Sequence, residues 1–165
     1  MSSKKTHQLT VGAMIAALYV LLTYLAEVLG LSRMAIQLRF SEALTILPIF
    51  TAAAIPGLFV GCLLANLLTG AALWDILFGS LATLLGAIGT RVFRRFPLAA
   101  IGAPIIANTV IIPFVLRYAY GLAETLPFLM FTVFLGELLS CGMLGYSLYR
   151  ILLRWRTPLG FDREK

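Results

Sequence analysis

Apolar residues run along this chain in long stretches with few polar interruptions, far beyond the reach of a soluble helix. Four are plain: Leu9–Leu29, Trp74–Thr90, Leu98–Leu116 and Thr125–Leu153. A helix needs about 20 such residues to cross a bilayer, so each predicts a membrane-spanning helix. The last is long enough to project beyond the lipid or to tilt. A fifth stretch, Ala43–Leu73, is broken by Pro48 and by Pro56–Gly57. It is too long for one upright crossing and short for two.

Charge decides between those readings. Basic residues cluster at Lys4–Lys5, at Arg91, Arg94 and Arg95, and at Arg150, Arg154 and Arg156. Cytoplasmic loop ends collect Lys and Arg. If the basic N-terminus is cytoplasmic, a single crossing over 43–73 strands the Arg91 cluster outside. A hairpin turning at Pro56–Gly57 returns it, and the Arg150 cluster, to the inside. The expectation is an all-α integral membrane bundle forming one transmembrane domain over 1–165. Its six helices lie at about 9–29, 41–54, 57–73, 74–92, 98–117 and 125–153, with both termini cytoplasmic. Arg33, Arg39 and Arg117 then lie outside with Asp75 and Glu124, and Arg163–Lys165 is a short solvated tail.

Composition closes the alternatives. Of 165 residues 61% are hydrophobic and 12% charged, and mean hydropathy is +0.97. A soluble domain carries about 25% charged residues, so this surface is made for lipid. The net charge of +6 does not signal nucleic-acid binding, because every basic cluster abuts an apolar run. The first run exceeds the roughly 7–15 residues of a signal-peptide core and reads as a retained helix. Cys62 and Cys141 lie in mid-run without ligand spacing and read as small buried hydrophobes. Lysine occurs only at positions 4, 5 and 165, and His7 is the sole histidine. No nucleotide-binding lysine, catalytic triad or metal motif can be assembled, so neither enzymatic activity nor a cofactor or metal is expected.

Small residues supply helix contacts, because lipid gives apolar side chains no reason to leave it. Gly12/Ala16 and Ala13/Ala17 mark the first helix, Gly57/Gly61 the third, Ala82/Gly86 the fourth and Gly142/Gly145 the sixth.

Ionisable or amide groups inside such runs need a reason. Glu137 sits mid-run without a basic residue one turn away; it serves either a ligand or a structural hydrogen bond. Asn108 lies between Pro104 and Pro113, which free the carbonyls of Ala100 and Thr109; it lines a solute site or bridges helices. Asn66 reads as an interhelical amide. The polar segment 36–42 alternates like an extended outer loop ending in a Ser41 or Glu42 cap. There Arg39 and Glu42 either pair on the surface or, with Gln37, help form a lid over a cavity that Trp74 and Asp75 would also line.

The run Gln37-Leu38-Arg39-Phe40-Ser41-Glu42-Ala43-Leu44-Thr45-Ile46-Leu47-Pro48 resembles the QueT family. So do Ile55–Cys62, Gly79–Leu84 and Gly136-Glu137-Leu138, and the likeness extends from about residue 9 to residue 150. The resemblance implies the substrate-capture (S) component of an energy-coupling-factor transporter for queuosine precursors. It further implies six helices, an outward-facing pocket under the first loop, and a complex with a membrane T component and two cytoplasmic ATPases. Docking would use a small-residue stripe on the first helix, which Ala13, Ala16 and Ala17 supply.

A 7-deazaguanine presents adjacent N–H donors that one carboxylate accepts in pairs. Glu137 is the first candidate, with Asn108 supporting the base edge and Gln37 or Arg39 meeting the carbonyl oxygen. Trp74 or Phe40 would stack on the ring, and Asp75 or Glu42 would serve a cationic aminomethyl group. An S component for another vitamin-like heterocycle, a self-sufficient carrier using Glu137 as a proton site, and a membrane enzyme or scaffold are the alternatives.

Overall fold

The computed structural model describes residues 3–31 and 37–155; Arg33, Arg156 and the tail Arg163–Lys165 lie outside them. Among the described residues all regular structure is helical. In chain order come α1 (Ser3–Val28), a 3₁₀-helix (Phe40–Ile49), α2 (Ala54–Leu68), α3 (Leu73–Val92) and α4 (Pro97–Tyr118). Then α5 (Leu126–Glu137) passes through a π-helical segment (Leu138–Leu144) into α6 (Gly145–Arg154). Four helices are long and apolar enough to cross a membrane: Lys4–Val28, Leu73–Val92, Pro97–Tyr118 and Leu126–Arg154. Their outer faces expose large apolar side chains such as Leu21, Leu77, Ile106 and Phe131. The chain is a multi-pass membrane protein.

The segment expected as a second spanning helix over 41–54 is instead a ten-residue 3₁₀-helix, rising about 20 Å at about 2.0 Å per residue. Two local features disfavour α geometry there. Thr45 donates its hydroxyl to the Glu42 carbonyl at 2.6 Å, competing with the main-chain pattern, and Pro48 has no N–H to give. This helix is wrapped rather than lipid-facing. Ser41, Glu42, Leu44, Thr45, Ile46 and Pro48 are all buried, and it touches α1, α2, α3, α4, the π segment and α6. It fills the gap between the two ends of a ring in which α1 packs on α2, α2 on α3, α3 on α4 and α4 on α5.

Pairwise contacts fix the direction of each segment. Gly12 near the start of α1 lies against Ala53 just before α2, and Asn66 near the end of α2 bonds Asp75 at the start of α3. At the far end of α3, Arg91 donates to the carbonyls of Pro48 and Ile49 at 3.0 and 3.4 Å. Thr90 meets Ala100 early in α4. Successive segments therefore alternate in direction, so both ends of the described chain and the Arg91 cluster share one end of the bundle. Arg39, Asp75 and Tyr120 occupy the other.

Close helix approach rests on missing side chains. A Cβ on Gly57 would lie 2.6 Å from the Gly12 carbonyl oxygen, and one on Gly61 would lie 3.0 Å from Ala16 Cα. A Cβ on Gly86 would lie 2.7 Å from Pro104 Cα. The first-helix stripe thus divides: Gly12 and Ala16 face α2 and are buried, while Ala13 and Ala17 are exposed. Ala16 belongs to the α1–α2 contact and not to a free docking face. Two prolines do not interrupt α4, which is continuous over Pro97–Tyr118. The Ala100 carbonyl left without its helical donor by Pro104 accepts the Thr90 hydroxyl at 3.0 Å.

Candidate functional site

At the end of the bundle opposite the chain termini a cavity of about 340 Å³ opens among Thr23, Gln37, Arg39, Asn66, Asp75 and Tyr120. The strands of chain entering it turn tightly: Gly70 and Gly121, at φ +73° and +67°, follow α2 and α4 in the left-handed conformation that glycine adopts without strain. Asp75 is buried. Its Oδ2 accepts the Tyr120 hydroxyl at 2.9 Å, its carbonyl accepts the Asn66 amide at 3.2 Å, and its Oδ1 has no partner. Burial raises the Tyr120 phenol above its ordinary pKa, the Asp75 carboxylate adding to the effect. The phenol therefore keeps its proton and holds Asp75 in place. Arg39 lines the same cavity.

Beneath this chamber lies a second polar layer in the middle of the bundle. Asn108 of α4 donates its amide to Glu137 Oε1 at 2.9 Å. Cys141, one turn beyond Glu137, donates its thiol to Glu137 Oε2 at 3.2 Å and lies 3.4 Å from the Glu42 carbonyl oxygen. Tyr19 of α1 donates its hydroxyl to Glu42 Oε1 in a short contact. Glu42, Glu137 and Asn108 are 1%, 7% and 3% exposed, so this layer is shielded from both lipid and water. The π-helical segment widens the turn after Glu137, a departure common at functional positions.

The stretch Gln37–Arg39 lines the cavity and packs on the end of α5 and the π segment. The Gln37 carbonyl rests where Gly136 has no side chain, in a contact that a Cβ would overlap. The Arg39 amide donates to Ser140 Oγ at 3.1 Å, and Thr23 and Ser41 join their hydroxyls at 2.8 Å. These bonds tie the stretch to α1 and to the π segment.

The sequence-based candidates divide accordingly. Gln37, Arg39 and Asp75 meet in the cavity, and Glu137, Asn108 and Glu42 meet below it. Glu42 forms neither a surface pair with Arg39 nor an exposed helix cap, because it points into the core toward Tyr19. Trp74 does not share the cavity of Asp75: it is exposed, stacks on Phe78 at 5.8 Å between centroids, and lines a separate apolar groove of about 490 Å³ with Val110, Phe114 and Tyr118. Successive residues of one helix point about 100° apart, which separates the two neighbours. Phe40 is half-buried and does not line the cavity. Three participants escaped sequence reading. Tyr19 carried a signal, since a buried tyrosine needs a partner for its hydroxyl; Tyr120 and Cys141 carried little. Asn66, expected as a helix bridge, also lines the cavity. No metal motif exists in the linear sequence, yet Glu42, Glu137 and Cys141 converge to a group able to hold an ion.

A family model described as "QueT transporter" matches residues 9–154. A relative from Lactococcus lactis subsp. cremoris (strain MG1363), named "Queuosine precursor transporter QueT", is 35% identical over 98 residues. That match covers 58% of this chain and 57% of the relative. No solved structure matches.

Proposed function

Because the chain belongs to the QueT transporter family, we propose that it captures a queuosine precursor, a 7-deazaguanine, as the S component of an energy-coupling-factor importer. The observation that carries this reading is the buried Glu137–Asn108 pair beneath a polar cavity. A carboxylate already oriented by an amide is prepared to accept the paired N–H donors of a flat base edge. In this reading the ligand enters from outside, passes Arg39 and Asp75, and reaches Glu137 when the Gln37–Arg39 cover lifts. Gln37 or Arg39 then meets the carbonyl oxygen, while Glu42 or Asp75 faces the 7-substituent.

The name of the Lactococcus relative supports the substrate class. The confinement of lysine to positions 4, 5 and 165 fits an S component whose ATP hydrolysis is carried out by partner subunits, as the family resemblance implies. The alternating directions and the basic residues gathered at one end support a reading of six membrane segments with both termini cytoplasmic. The T component would dock on the exposed side of α1 around Ala13 and Ala17.

Calorimetric titration of the purified chain with 7-deazaguanine derivatives tests the reading, with guanine and riboflavin as controls. Selective deazaguanine binding that falls in Glu137→Gln supports it; a folded protein that binds none of them overturns it. The buried acid pair also favours a second reading, a proton-coupled carrier. Uptake by cells lacking the partner ATPases would select that one.

A further inference from the structure

One ligand atom from each of Glu42, Glu137 and Cys141 lies within 4.8 Å of the others, and all three residues are buried. They come from separate parts of the fold. Glu42 is carried by the 3₁₀-helix, while Glu137 and Cys141 straddle the junction of α5 with the π segment.

Hydrogen-bond accounting leaves this group short of a partner. Tyr19 supplies Glu42 Oε1, Asn108 supplies Glu137 Oε1, and Cys141 supplies Glu137 Oε2. Glu42 Oε2 is buried and receives nothing. Among the described residues no basic side chain hydrogen-bonds either carboxylate. Arg39 brings a positive charge to the cavity above but hydrogen-bonds neither carboxylate, so the enclosed acceptor beside a second carboxylate and a thiol still lacks a direct partner, which a cation would supply.

We propose that Glu42, Glu137 and Cys141 form a binding site for a divalent cation of borderline softness, with zinc or cobalt as the fitting class. Magnesium and calcium take six or more oxygen ligands, which this enclosed group cannot offer. Two carboxylate oxygens and one sulfur match the mixed donor sets of tetrahedral zinc. Metal–oxygen bonds of about 2.1 Å and a metal–sulfur bond of about 2.3 Å place ligand atoms about 3.4–3.6 Å apart. Closure therefore requires the farthest pair to draw together by at most about 1.4 Å, within the reach of side-chain rotation, while Cys141 Sγ and Glu137 Oε2 are already 3.2 Å apart. Cys141 passes its proton to water that enters with the hydrated ion and leaves again, and exchanges its bond to Glu137 for one to the ion. Tyr19 and Asn108 remain as the outer partners that orient the two carboxylates. The fourth position is kept by one water that the ion carries in from its hydration shell.

The inference does not rest on the capture of a deazaguanine, though both would engage Glu137 and so exclude each other. The test uses the full chain in detergent, stripped by a chelator and titrated with Co²⁺ alone. The readouts are stoichiometry and thiolate-to-cobalt charge-transfer absorption. One equivalent is expected, with the absorption retained in Cys62→Ser and lost in Cys141→Ser. Glu42→Gln lowers Co²⁺ affinity by about tenfold or more. Substoichiometric binding by the unaltered chain, or absorption that survives Cys141→Ser, overturns the proposal. Either result leaves deazaguanine binding, measured without metal, to stand or fall separately.

Discussion

Asn108 and Glu137, 29 residues apart in the chain, meet in the middle of the bundle with an amide-to-carboxylate bond of 2.9 Å. The bond joins α4 to the end of α5 and fixes which way the Glu137 carboxylate faces. A buried acceptor that loses its donor becomes both less stable and less well aimed. Asn108→Ala is expected to weaken deazaguanine binding by about tenfold, equivalent to about 1.4 kcal/mol, in the same calorimetric titration. Unchanged affinity would assign the amide to packing alone.

Gly136 offers a cleaner handle on access. Replacing a helix-interior glycine by alanine usually stabilises by about 1 kcal/mol. Here the added Cβ would overlap the Gln37 carbonyl oxygen, and overpacking of this kind costs about 1–3 kcal/mol. Lifting the Gln37–Arg39 cover relieves it. Gly136→Ala should therefore raise the ligand dissociation rate at least about fivefold, measured by stopped-flow displacement. A rate equal to that of the unaltered chain would show that the cover does not retain ligand.

The bond from Thr90 to Ala100 repairs the gap that Pro104 makes in α4. Thr90→Val should cost about 1–3 kcal/mol by leaving that carbonyl unsatisfied, read as a lower melting temperature in detergent. Combining it with Pro104→Ala restores a main-chain donor, so the two changes should be non-additive. Additive losses would mean that the carbonyl finds no benefit from the hydroxyl.

Trp74 faces away from the polar layers. Trp74→Ala should change deazaguanine affinity by no more than about twofold, the usual range for a surface substitution. A tenfold loss by calorimetry would return the indole to the ligand site.

The membrane-embedded helices were legible because lipid imposes long apolar runs, and a reversal within 43–73 because Arg91, Arg94 and Arg95 were expected to share a side with Lys4 and Lys5; the turn itself was misplaced, since the chain reverses at Phe50–Ala53 and Pro56–Gly57 lie in the first turn of α2. The 3₁₀ geometry of Phe40–Ile49 was not, since it depends on a hydroxyl of Thr45 and on enclosure by six other segments. Glu137 and Asn108 stood out as costly groups in mid-run. Glu42 did not, because it follows a polar loop and reads locally as a cap; its burial is set by Tyr19 from a helix 23 residues earlier. The misplacement of Trp74 has the same origin. Adjacency to Asp75 in sequence suggested adjacency in space, and helical periodicity turned the two apart.

The enclosed 3₁₀-helix has a consequence for biogenesis. A ten-residue segment carrying a carboxylic acid is too short to cross the bilayer by itself and costly to insert during synthesis. Its backbone and acid are sheltered only after α1, α2 and the C-terminal half of the chain surround it. Membrane integration must therefore begin with the flanking helices, which carry this segment inward as a passenger. A ribosome-released fragment ending before α4 would lack the Asn108, Glu137 and Cys141 layer, leaving Glu42 for quality-control proteases to find.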